Sequence, residues 1–190
     1  MAASLPTSTI KAPLAARVPA SPPGAGLSTA SIRLPLRFML TGMLALAGGV
    51  IWLFACPEIL STYHYNPHIV AVTHLFTLGW ITTIIMGALY QLAPVALETQ
   101  LYSERLARWQ YWMHVIGIIG MVWMFWIWRM EALGHFGALV GASILLFIFN
   151  LGKTLRRVPS WNLVASGIAS ALGWFLLTML AGLYLAAAKC

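Results

Sequence analysis

Five stretches of this chain, residues 38–56, 69–93, 109–128, 133–152 and 163–187, contain no Asp, Glu, Lys or Arg at all. Each is about as long as the ~20 helical residues needed to cross a hydrocarbon core of about 30 Å. In lipid only helices and closed barrels satisfy their own backbone groups, and continuous apolar runs of this length are helices; segments with strand-like alternation are absent. Hydrophobic residues make up 61% of the chain and charged residues 8%, more apolar surface than a soluble domain of this size can bury. The expected fold is therefore all-α, a polytopic bundle of five transmembrane helices spanning residues 33–190.

The few charges give an orientation. There is no Asp, and the acids are Glu58, Glu98, Glu104 and Glu131. With five alternating spans, Lys11, Arg17, Arg33, Arg37, Arg105, Arg108, Lys153, Arg156 and Arg157 share one side, leaving Arg129 and Lys189 on the other. Basic loops stay in the cytoplasm, which predicts a cytoplasmic N-terminus and an external C-terminus. The tryptophans agree with these limits: Trp109, Trp112 and Trp161 fall near the inner interface, and Trp52, Trp126 and Trp128 near the outer one. The net charge of +7 is thus topological. Dispersed between apolar spans and without interleaved aromatics, it forms no nucleic-acid surface.

Residues 1–32 are rich in Pro, Ala, Ser and Thr, carry no acid and lack the apolar core of a secretory signal. They are expected to form a disordered cytoplasmic tail, with an organellar transit peptide as the alternative. Cys56 and Cys190 both map to the external side and have no metal-binding spacing, so unpaired thiols are expected. Small residues at Gly137 and Gly141, and at Ala165, Ala169 and Gly173, offer a close contact between the last two spans or between chains.

Polar groups at membrane depth usually face the bundle interior or a cavity, which turns attention to the five histidines. At a rise of about 1.5 Å per residue, His74 and His114 lie on opposite halves of the membrane, roughly 15 Å apart along its normal, so they cannot both ligate one haem. His114 follows Trp109, Trp112 and Met113, and reads as an interfacial histidine. His135 enters the fourth span from the outer side beside Gly134 and Gly137, where a macrocycle or a helix has room to approach; an interfacial role serves as well. His64 and His68 are four apart, but Pro67 between them argues for a surface loop, with copper or zinc binding as the alternative. Around His74 the helical repeat places Thr77, Leu78, Ile81, Thr82 and Ile85 on one face. That wall suits a porphyrin edge or an ordinary helix contact. As a haem ligand His74 would need a partner for its second ring nitrogen, with Thr73, Thr77 or a neighbouring helix as donors or acceptors.

Over residues 73–94 the sequence reads THLFTLGWITTIIMGALYQLAP: a histidine near the external end of a span, then Leu-Gly-Trp, Met-Gly and a Tyr-Gln-Leu-x-Pro exit. This pattern resembles the second helix of subunit I of the haem-copper oxidase superfamily, which includes cytochrome c oxidase and nitric oxide reductase relatives. The likeness is strongest over residues 69–109 and looser over 36–188. It implies a first helix starting in the cytoplasm and a second descending from outside, the arrangement the charges predict. It further implies that His74 ligates the iron of a low-spin b-type haem, with Thr77 as a neighbour on the haem face and His135 as a second candidate ligand. A full catalytic subunit has about a dozen helices and further histidines. This chain has no His-His pair, no His-x-His and no His-x-x-x-Tyr, so the resemblance implies neither a copper site nor oxygen or nitric oxide reduction by this chain alone.

The expected function is membrane electron transfer as part of an oxidoreductase in a respiratory chain, in a bacterial inner membrane. The chain would resemble an N-terminal portion of subunit I. The second axial ligand would come from another membrane subunit, a second copy or a missing C-terminal half, and the electron from a donor cytochrome. A haem-free structural or assembly subunit is the alternative. Transport of a small molecule is disfavoured by the near absence of charge in the spans and of an inverted repeat.

Overall fold

The computed structural model describes residues 29–63 and 66–187. The tail up to residue 28, His64, Lys189 and Cys190 lie outside them. The described residues form five long helices and no strand: α1 (Thr29–Ala55), α2 (Pro67–Ala96), α3 (Glu104–Trp126), α4 (Met130–Leu155) and α5 (Leu163–Ala187), with a short 3₁₀ turn at Pro57–Ser61. Their limits follow local chemistry. Asn66 accepts the backbone N–H of His68 at 2.9 Å, and Pro67 takes the first helical position of α2, where its missing N–H costs nothing. Ser103 caps α3 by accepting the N–H of Leu106 at 3.2 Å.

Four helices are long and apolar enough to cross a membrane: α1 over Ile32–Ala55, α2, α4, and α5 over Leu163–Leu185. The remaining expected span, α3, is not among these four. Although α3 has 23 residues, Gln110, His114 and four tryptophans lower its hydropathy. Its polar groups point inward: Gln110 and His114 are fully buried, whereas Trp109, Trp112 and Trp123 face out.

Successive helices run antiparallel, which sorts the side chains into two ends. At the basic end, the start of α1 (Pro35, Phe38) packs on the last turns of α2, and Arg157 at the end of α4 lies 4.7 Å over the Tyr102 ring before α3. At the opposite, histidine end, Trp52 of α1, His68 of α2 and Trp126 of α3 meet, with the two indoles 4.2 Å apart. The core between them holds Phe38, Met86, Tyr90, Phe147 and Leu151.

Helix contacts are closest at glycines, but not at those the sequence singles out. A Cβ on Gly87 would stand 2.7 Å from the Cβ of Phe38 and 3.1 Å from the carbonyl of Pro35; one on Gly117 would stand 2.7 Å from Val140. The tight seams are thus α1 on α2 and α3 on α4. Gly141 makes ordinary contact with Leu183, and Gly137 and Gly173 face open space. Gly87→Ala is expected to destabilise the bundle by about 1–3 kcal/mol, the cost of overpacking against backbone. Gly134→Ala, where nothing lies within 4 Å, should be neutral, and thermal unfolding in detergent compares the two.

One helix departs from regular geometry. Immediately after His74, over Leu75–Thr82, the backbone of α2 opens into wide turns bonded i to i+5, then returns to α-helix at Thr83. Such segments are rare and concentrate at functional sites.

Candidate functional site

His74 sits at the last α-helical position before the wide turns, half-buried near the histidine end. Its Nδ1 lies 2.8 Å from the carbonyl oxygen of Val70, one turn earlier. A carbonyl only accepts, so Nδ1 carries the ring hydrogen and donates it. Nε2 is left unprotonated with its lone pair, the tautomer that ligates a metal. The second-nitrogen partner is therefore Val70, not Thr73 or Thr77: a carbonyl has two lone pairs, and one helical turn back is within reach of the ring. The hydroxyl of Thr77 is spent on the Thr73 carbonyl at 2.9 Å.

One side of the His74 ring is covered by Phe125 of α3, 4.6 Å between centroids and tilted by 35°. Beside it, Thr73, Thr77, Ile81 and Ile85 are exposed at intervals of four. In a regular helix each four-residue step overshoots a turn by about 40°, so this row would wind around the axis. Wide turns hold more residues per turn and so reduce this drift. His74 thus borders an uncharged, exposed row.

His68 packs its ring 4.5 Å from Trp126 and 6.5 Å from Trp52. Its Nδ1 and the indole N–H of Trp52 are buried without hydrogen-bond partners. His135 is exposed on α4; the contacts of His74 are to Val70 and Phe125. Among the described residues, no three His, Cys, Asp or Glu side chains come together in a way that could hold a metal ion.

A second polar site lies deeper. His114 is 0% exposed, with Nε2 at 3.1 Å from the hydroxyl of Thr83 and Nδ1 at 3.0 Å from that of Ser143. This overturns the interfacial reading of His114. Trp109 and Trp112 mark the outer face of α3, while His114 lies on the opposite face. With both nitrogens engaged, it is not free to bind a metal. Towards the basic end, Tyr90 donates to Gln110 at 3.3 Å, and Asn150 clamps the backbone of Ser103 through two bonds of 3.0 Å. None of Thr83, Gln110, Ser143 or Asn150 stands out from the sequence as a site residue, although each is a polar residue inside a charge-free run.

A comparison with known protein families matches residues 26–134 to Cytochrome C and Quinol oxidase polypeptide I. The chain belongs to that family. No curated protein and no solved structure matches it. The match to cytochrome c and quinol oxidase polypeptide I spans α1, α2 and α3 and ends in the first turns of α4. It includes His74, the wide turns and His114, and excludes Ser143 and Asn150. With four helices apolar enough to cross a bilayer, this family member is a multi-pass membrane protein.

Proposed function

We propose that this chain binds a b-type haem through Nε2 of His74 and carries electrons as part of a haem-copper-oxidase-like complex. The carrying observation is the Val70 bond, which fixes the ring, assigns the hydrogen to Nδ1 and leaves Nε2 as a lone-pair donor. Bound iron would supply a one-electron couple whose potential its ligands and surroundings set. The rest falls to the protein. Val70 holds the ring, Phe125 covers one side, and the uncharged row through Thr77, Ile81 and Ile85 offers a wall for a porphyrin edge.

His114 is closed off, so a second axial ligand has to come from His135, another subunit, a second copy or a further stretch of subunit I. The five-span topology, a cytoplasmic N-terminus and residence in a bacterial inner membrane belong to this same reading and are supported by the distribution of basic residues. Reduced-minus-oxidised and pyridine haemochrome spectra of the purified wild-type and His74→Ala chains test it. A colourless wild-type chain that co-purifies with a respiratory complex would support the haem-free assembly role instead.

A further inference from the structure

We infer that Thr83, His114 and Ser143 are positioning residues for His74, a bracket that holds α2 in its wide-turn form. Thr83 is the first residue after the wide segment. Its hydroxyl donates to the carbonyl of Leu78, five residues back, at 2.8 Å, so the side chain repeats the i to i+5 spacing of the backbone. The same oxygen meets Nε2 of His114 on α3. Because Thr83 has given its one hydrogen to Leu78, it accepts from Nε2–H of His114; Nδ1 then keeps its lone pair and accepts from the hydroxyl of Ser143 on α4 at 3.0 Å, an oxygen that also lies 2.7 Å from the Val140 carbonyl of its own helix. One imidazole therefore ties the wide segment to two further helices, and all three side chains are fully buried.

The energetic logic follows from burial. A polar group in this interior costs about 1–3 kcal/mol if left unpaired. The bracket satisfies its members only where Thr83 faces α3, and that facing depends on the wide turns. In a regular α-helix from His74 onward, Thr83 and the packed residues after it would rotate away from α3 relative to His74. Gly87 and Tyr90 hold the far half of α2 against α1 and α3, so relaxation would turn the His74 end instead. The bracket thus sets the direction of His74 from nine residues further along the helix. This inference rests on the haem reading for its consequence, but not for its geometry.

The test uses the full chain in lipid nanodiscs, with Cys56 and Cys190 replaced by serine. A nitroxide is placed in turn at positions 77, 78, 81 and 82, and its accessibility to dissolved oxygen is measured. In the parent chain accessibility should be high at 77 and 81 and lower at 78 and 82. Thr83→Val, which keeps shape and removes the hydroxyl, should reduce this contrast by lowering 77 and 81 and raising 78 and 82. It should also weaken haem retention roughly tenfold, as loss of an outer partner of a metal ligand does. Thr83→Ser should restore both. An unchanged accessibility pattern in Thr83→Val overturns the bracket, and a changed pattern with unchanged haem retention overturns its link to His74. Should Thr83→Val fail to fold, Ser143→Ala removes the far anchor and is judged by the same two readouts. A parent chain that takes up no haem removes the His74 reading, while the label pattern still decides the bracket.

Discussion

His74→Ala is expected to lose nearly all of the b-type absorbance while remaining in the membrane in normal amount. Removing the imidazole deletes the ligand atom, whereas the fold loses only one half-buried ring and its contact with Phe125. The four apolar helices and the glycine seams are untouched. The substitution also leaves a ring-sized space bounded by Phe125 and the Val70 carbonyl. Added imidazole should fill it, donate to Val70 and return part of the spectrum, a rescue that a purely structural histidine would not show. His135→Ala, exposed on another helix, separates the two candidate ligands. Loss of the spectrum there with retention in His74→Ala would move the ligand to His135. Retention in both would sink the haem assignment to either.

How much of this was legible beforehand depends on which physical signal each feature leaves. Charge-free runs announced the helices, and the second of them carried the pattern that leads to the family. Charge placement also anticipated which loops share an end: Arg157 and Tyr102 meet there. The wide turns left no such signal. LFTLGWIT is as apolar as a regular span, and the hydrogen-bond shift becomes visible only when Thr83 is seen bonded to Leu78 and His114. Hydropathy also misplaced His114, because the neighbouring tryptophans report the outer face of α3 and not the inner one. The small-residue stripe on the last two helices was only partly informative: Ala165 is fully buried and Gly141 touches Leu183, but Gly137 and Gly173 have no neighbour within 4 Å. Small residues permit close approach, but the α3–α4 seam is set by what fills the notch, and Phe136 and Val140 fill the one at Gly117 and Gly120.

Asn150→Leu is expected to cost about 2–4 kcal/mol of stability. Asn150 is fully buried and joins α4 to the connection before α3 from both sides. Its Oδ1 accepts the N–H of Ser103, and its Nδ2 donates to the carbonyl of the same residue, each at 3.0 Å. Leucine is of similar bulk, so little cavity forms; the loss is of hydrogen bonds. Two backbone groups go unpaired at about 1–3 kcal/mol each, less what water at the basic end can recover. The effect should spread. Ser103 is the cap of α3, and Tyr102 beside it is held by Thr154 one turn further along α4 at 3.0 Å. Loosening Ser103 therefore frays the helix that carries Gln110 and His114. Asn150→Asp discriminates further: it keeps the acceptor for Ser103 but loses the donor and buries a charge, so it should be at least as damaging. Thr154→Val, which gives up one bond from Tyr102, should cost about 1 kcal/mol. Thermal unfolding of the three variants in detergent gives the order. If Asn150→Leu unfolds within a degree or two of the parent, the connection satisfies itself through solvent, and the clamp contributes geometry without stability.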